Sequence, residues 1–282
     1  MAMAELGNRG GEGPPLLSLV DHLELRPWPD PCFFYDRAAV LQVFVANVYR
    51  EILDGLSPGD AVLDCGANIG CFTIAASYRV GPRGTVIAVE PEPANLATLR
   101  ANIRALGLDN VTVVPKALSG EAGRTVRISG SGMFAHVSEQ GSNVETTSLA
   151  EIARGLGDRP ISGLKMDIEG SELPALQAPD AGAVLRRTER FGVEVQGISE
   201  ERSMRDLLAR AGFARTWVTK EYAFLPRAAL RVLRHPSLPF RLYGDHVGDF
   251  VDRLMRGFTG TVRPDPTSEQ GFVSQLIMAQ RS

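Results

Sequence analysis

The chain has 282 residues, 44% of them hydrophobic and 22% charged, with a net charge of −3. That profile suits a globular protein large enough for one α/β core and an elaboration, and it disfavours, without removing, a nucleic-acid partner, since nothing in it suggests a basic footprint for nucleic acid over the whole surface. Cys32, Cys65 and Cys71 show no CxxC spacing, which fits a reduced, cytoplasmic setting rather than a disulfide or zinc scaffold. The sequence has neither a run of 18 apolar residues nor a basic-led signal segment, so no membrane association is expected.

Residues 1–14 are rich in Gly, Glu and Pro and are expected to form a disordered tail, because they offer too little apolar surface to offset ordering. From Leu16 to Pro31 the prolines at 27, 29 and 31 predict an extended segment carrying Trp28, ahead of Phe33, Phe34 and Tyr35. Val40, Val43, Phe44, Val48 and Ile52 recur at helical spacing, with Asp36 as the expected N-cap. Residues 15–57 thus read as an N-terminal cap segment, and its aromatics are a candidate homodimer contact.

The domain proper, 58–282, opens with the strand Ala61–Cys65 and the loop Gly66-Ala67-Asn68-Ile69-Gly70, which leads into a helical pattern. Glycines at 66 and 70 let the loop fold under a bulky ligand, and the helix start presents free N–H groups to it. A second strand, Thr85–Glu90, ends in an acid 24 positions after Gly66, placed to accept both hydroxyls of a ribose. Together these stretches describe an adenosine pocket. Asn68 stands where the dinucleotide fingerprint has its second glycine, so the loop suits a ligand without a pyrophosphate, such as S-adenosylmethionine.

Pro93–Leu106 reads as a helix with Leu96, Leu99, Ile103 and Leu106 on one face and Gly107 at its C-terminal end. Val111–Val114 is the third strand. Residues 120–147 break the α/β rhythm, and Gly130-Ser131-Gly132 between two β-like runs predicts a hairpin carrying His136. After a short helix at Ser148–Ile152, the strand Ile161–Met166 delivers Asp167, Glu169 and Glu172. In a doubly wound sheet, ligands lie beyond the carboxyl ends of the strands, so Asp167 should face the reaction, with Lys165 on the same side of the strand. Three roles are open for Asp167: holding a positively charged ligand group, taking a proton, or binding a divalent ion. Glu172 fits a helix N-terminal carboxylate. Strand Phe191–Gln196 brings Glu194 to the same edge, where it could share a proton or metal with Asp167 or pair with an arginine; no His/Cys ligand set accompanies the pair, and no metal is assigned. A helix from Met204 to Ala211, with Ser203 as N-cap, precedes strand Phe213–Val218 and, much later, a final strand Gly271–Ala279. Residues 220–270 read as a long insertion with Arg227, Arg231 and Arg234 on one helical stripe, followed by Arg241, Tyr243, Asp245 and His246. The stripe suits either an anionic substrate or plain solvent exposure.

Three motifs occur in order: Asp64-Cys65-Gly66-Ala67-Asn68-Ile69-Gly70, Glu90-Pro91-Glu92-Pro93, and Leu164-Lys165-Met166-Asp167-Ile168-Glu169-Gly170-Ser171-Glu172. Over roughly residues 58 to 196 they resemble the FkbM-type S-adenosylmethionine-dependent methyltransferases. The resemblance implies a class I, Rossmann-like fold: a mostly parallel seven-stranded sheet with helices on both faces, an N-terminal extension that often covers the site, a hairpin elaboration and a lid-like insertion before an antiparallel last strand. It implies S-adenosylmethionine held by Asp64, Gly66, Ala67, Asn68, Gly70, Glu90, Pro91, Ala117 and Asp167. Asp167, His136 and His246 are the candidate bases, and Glu169, Glu194 and Arg231 the candidate acceptor contacts. The expected activity is O-methylation of a hydroxyl on a small molecule, a sugar or secondary-metabolite intermediate. Methylation of nitrogen or carboxylate on a small molecule or peptide, or cofactor binding without catalysis, are the alternatives; a nucleic-acid or protein methyltransferase is a further rival, disfavoured by the acidic charge balance without being removed.

Overall fold

The computed structural model describes residues 16–130, 136–195, 197–220, 234–248 and 275–281. Strand β1 (Ala61–Cys65) is flanked by β2 (Thr85–Val89) and β8 (Gly163–Met166), and the full sheet runs β3 (Val111–Val114), β2, β1, β8, β9 (Arg190–Val195), β11 (Gln275–Gln280), β10 (Arg215–Lys220). All neighbours pair parallel except β11, which runs antiparallel to both β9 and β10. Chain order therefore reverses between β1 and β8, and a ligand crevice opens there. This is the class I methyltransferase arrangement.

The central strands are buried on both faces: every residue of β1 and of β8 is inaccessible or nearly so, as expected of parallel strands covered by helices. Helix α3 (Cys71–Val80) follows the β1 loop, and α4 (Pro93–Leu106) follows β2. The start of α4 is fixed by Pro93 in the first turn and by Glu92, whose side chain accepts from the N–H groups of Ala94 and Asn95; Gly107, in the left-handed region, ends it. Helices α5 (Leu149–Ala153, capped by Ser148), α6 (Glu172–Gln177), α7 (Ala181–Arg186) and α8 (Ile198–Arg210) complete the α/β layers.

The N-terminal cap departs from the expected pattern. Leu16–His22 forms a 3-10 turn rather than extended chain, and helix α1 (Phe33–Val40) begins ahead of Asp36. Asp36 caps nothing. It lies inside α1, where the Arg26 guanidinium and backbone capture it. The helical run continues through Leu41–Ala46 in wider turns and breaks at Asn47, before α2 (Arg50–Leu53). Ile52 of α2 seats against the sheet at Gly163, where a Cβ would lie 2.6 Å from its Cγ2 atom; the bare backbone there lets the cap approach. Ser203 likewise is no cap: α8 starts five residues earlier, and the Ser203 hydroxyl donates back to the Ser199 carbonyl.

The expected hairpin belongs to a larger unit. Strands β4 (Ala117–Leu118), β5 (Thr125–Ser129), β6 (His136–Ser138) and β7 (Ser142–Thr147) form a second sheet in the order β4-β7-β5-β6, with β7 unforeseen. Of the insertion, helix α9 (Leu238–Tyr243) and the following turn through His246 are described; Leu238, Leu242 and Tyr243 join the core of the cap. Arg227 and Arg231, like the tail 1–15, lie outside the described residues.

Candidate active site

The loop after β1 is shaped by contacts a side chain would destroy. Gly66 has φ +82°, and a Cβ there would sit 1.7 Å from the Asp167 carbonyl oxygen. The N–H groups of Gly66 and Ala67 both donate to the Val89 carbonyl, tying the loop to the end of β2. Asn68 adopts φ +51°, which asparagine tolerates better than most residues. Its N–H donates to Glu90 Oε2 at 2.7 Å, while Glu90 Oε1 accepts from Glu92 N–H at 2.9 Å. The acid expected to hold a ribose therefore also holds the loop. Burial pushes the Glu90 carboxyl up to about 7, against the pull of those N–H donors, of Lys165 and of the Asn95 amide.

Beneath the loop lies a charge cluster built on Lys165. Its ammonium donates to the Gly66 carbonyl at 2.5 Å and lies 3.5 Å from Asp64 Oδ1 and 3.6 Å from Asp167 Oδ2. The Tyr49 ring, delivered by the cap just ahead of α2, has its centroid 5.8 Å from Nζ and packs edge-on against Phe72. Burial opposes the ammonium, but Asp167, Asp64, Tyr49 and Glu194 outweigh it and hold the Lys165 pKa well above the usual lysine value. Asp64 is fully buried, and its other oxygen accepts from the Thr73 hydroxyl at 2.5 Å; burial raises its pKa and Lys165 draws it back. Asp167 is about a quarter exposed, so it alone of this ion group on β1 and β8 opens outward.

After β8 the chain reverses through Glu169, at φ +55°, and Gly170. Glu172 braces this turn by accepting from the N–H groups of Ile168 and Gly170 at 2.7 and 2.8 Å. Burial pushes its carboxyl up to about 7. Glu172 is thus the structural carboxylate of its motif.

The structure brings together Asp64, Gly66, Ala67, Asn68, Gly70, Glu90 and Asp167 at the β1/β8 switch point, with the Glu194 carboxylate close enough to bias both Lys165 and Tyr49. Pro91 and Glu169 border this group in sequence. Ala117 is buried at the start of β4, next to Lys116, whose ammonium pairs with Glu145 at 2.8 Å. His246 packs against Trp28, tilted, and edge-on against Phe33 in the cap, with centroids 4.7 and 5.3 Å away. His136 lies on β6 in the second sheet, its side chain outside the described residues. Tyr49, Thr73, Asn95 and Asn102 were missed by sequence reasoning. Lys165 carried a legible signal, a lone charge in a strand otherwise apolar on both faces. Among the described residues, no group of three or more His, Cys, Asp or Glu side chains could hold a metal ion.

Asn68 Oδ1, buried beside the loop, lacks a hydrogen-bond partner, whereas Asp64 Oδ1 is taken up by the Lys165 ammonium at 3.5 Å. An orphaned acceptor and a carboxylate at a strand tip fit a ligand that brings amino and hydroxyl donors, as S-adenosylmethionine does.

The model of the methyltransferase FkbM domain matches residues 64–215, from the cofactor loop to β10. The chain is 31% identical over 166 residues to the 31-O-demethyl-FK506 methyltransferase FkbM of Streptomyces tacrolimicus, covering 46% of this chain and 64% of that protein. It is 41% identical over 64 residues to protein-L-isoaspartate O-methyltransferase 2 of Archaeoglobus fulgidus, covering 23% of this chain and 29% of that one. The match thus spans less than two-thirds of either relative. An S-adenosylmethionine-dependent O-methyltransferase structure from Thermotoga maritima aligns over 93% of this chain and 71% of its own, at 13% identity and a TM-score of 0.41. The strand order, the three motifs in their places at the switch point and the matching domain lead to one assignment: the chain belongs to the FkbM methyltransferase domain family.

Proposed function

We propose that this protein methylates a hydroxyl oxygen of a small molecule at the expense of S-adenosylmethionine. The observation that carries the reading is Asp167: it is a partly exposed carboxylate at the switch point, held in place by a buried lysine that also grips the cofactor loop. By name, the first relative is a methyltransferase of 31-O-demethyl-FK506 and the second an O-methyltransferase of protein L-isoaspartate, which supports oxygen as the acceptor atom. A sugar or secondary-metabolite hydroxyl is the acceptor class proposed.

S-adenosylmethionine, when bound, supplies a methyl group activated by its sulfonium charge. The protein's residues do the rest. Glu90 accepts the ribose hydroxyls, Gly66 to Gly70 give the ligand a floor without side-chain obstruction, and Asn68 offers an acceptor to its donors. Asp167 takes the proton from the acceptor hydroxyl, and Lys165, by pairing with Asp64 and Asp167 together, keeps that carboxylate aimed and its charge compensated. Most of the acceleration in such a displacement comes from holding acceptor and methyl in line, which a rigid strand-end site can do.

Calorimetric titration with S-adenosylmethionine, S-adenosylhomocysteine and NAD tests the reading. Micromolar binding of the two sulfur ligands and not NAD is expected; binding of NAD alone would sink it. With an acceptor from a hydroxylated panel, Asp167→Asn is expected to lower turnover about 100-fold while leaving S-adenosylhomocysteine affinity within about threefold. Equal losses in both would make Asp167 a cofactor-positioning group.

A further inference from the structure

Helix α4 carries two buried amides, Asn95 and Asn102, seven residues and so about two turns apart on one face. Each reaches two ways. Asn102 Nδ2 donates to the Ile69 carbonyl of the cofactor loop at 2.9 Å, while its Oδ1 accepts from the N–H of Glu24 at 2.5 Å. Asn95 Oδ1 accepts from Arg26 Nη2 at 3.0 Å, and the same side chain hydrogen-bonds the Glu90 carboxyl. Residues 24 to 26 of the cap are thereby stitched at two points to the parts of the site expected to grip the nucleoside.

The stitching continues outward. Arg26 is clamped by Asp36 through its Nε at 2.9 Å and its backbone N–H at 2.9 Å. The Arg26 carbonyl accepts from Arg37, and the same guanidinium donates to the Leu242 carbonyl on α9 of the insertion. Leu19, Val20 and, more loosely, Leu23 and Leu25 pack into the core the cap shares with α9. Arg26 exposes only a tenth of its side chain and Asp36 almost none, so neither end of this path is a solvent-screened surface pair.

We propose that residues 23–26 are the third wall of the cofactor site, with Arg26 and Asn95 as positioning residues for the Glu90 carboxylate and Asn102 as the positioning residue for the Ile69 end of the loop. The inference rests on the reading of Glu90 as the ribose acceptor. Its physical basis is that a buried amide is worth keeping only when both its donor and acceptor are used. Fixing Glu90 and the loop with a nucleoside fixes both amides, which makes docking of the cap less costly. By reciprocity a docked cap must then raise nucleoside affinity by the same factor.

Hydrogen exchange of the full chain with and without saturating S-adenosylhomocysteine tests this without any substitution. Slower exchange at residues 23–26 together with Gly66–Gly70 is the expected result. Protection of the loop alone overturns the proposal while leaving the cofactor reading intact; protection of neither, with no heat of binding, overturns both. Arg26→Ala and Asn95→Ala are each expected to weaken S-adenosylhomocysteine about fivefold, and the double variant by no more than the worse single one, since they act through one path. A lower melting temperature with unchanged affinity would make the cap merely structural and overturn the assignment.

Discussion

Under the proposed function Glu90 does two jobs with one carboxylate, and its titration tests both. Buried and pushed up to about 7, it is protonated below that pH and then offers one acceptor fewer to ribose hydroxyls. S-adenosylhomocysteine affinity is therefore expected to rise between pH 6 and 8 and level off above, as calorimetry across that range would read. Glu90→Gln should flatten the profile and weaken binding at pH 8 by about tenfold, the scale of one charge-assisted hydrogen bond. A wild-type profile flat over this window would place the ribose elsewhere. Lys165 is the counterpart of Glu90 beneath the loop: a buried cation is tolerated there because Asp64 and Asp167 compensate it, and removing it alone would strand two carboxylates.

At the scale of elements, the site is a meeting of loop ends held at backbone distance. Gly66→Ala would drive a methyl group into the Asp167 carbonyl at a positive φ, so the β1 loop and the segment after β8 would have to separate. A loss of more than about 2 kcal/mol in denaturant unfolding is expected; retention of stability would show that the two loops are free to part. Elements whose cues are local were legible in the sequence. Helix α4 falls at Pro93–Leu106 because proline, the Glu92 cap and Gly107 all lie within it or beside it, and the strands of the parallel core announce themselves as apolar runs. Elements decided at a distance were not. Asp36 looked like a cap, but Arg26, ten residues earlier, claims it. Strand β7, Ser142–Thr147, has one apolar residue, Val144, and owes its form to pairing with β5 and β4. The cofactor loop and Asp167 were found by motif, whereas Tyr49 and the two amides of α4 entered the site only through tertiary packing.

Two buried acids, Glu90 and Glu172, contribute to the pH dependence of the whole molecule. Glu90 and Glu172 have carboxyls pushed up to about 7 from an ordinary 4.5, so between those values the folded chain holds protons that the unfolded chain releases. Their contribution is largest below the unfolded value and is lost as pH rises through the folded one, by up to about 3 kcal/mol each. Melting of the ligand-free protein is expected to fall from pH 5 to 7.5, and Glu172→Gln should lose less over the same window; an equal drop in both proteins would remove Glu172 as a source. The described part of the insertion sits on the cap, and the cap on the cofactor loop, so a disturbance at α9 has a continuous packed route to Glu90.

Cys32, Cys65 and Cys71 are all buried, and desolvation holds the latter two thiols far above their ordinary range. None is poised to react with an alkylating reagent in the closed protein. Cys32 borders the cap helix, whereas Cys65 ends the central strand and Cys71 starts α3. The chain therefore carries its own pair of clocks: the labelling rates at Cys32 and at Cys71, which packs into the core of the cap, time the lifting of the cap, and the rate at Cys65 times the opening of the sheet core, with no reporter having to be introduced.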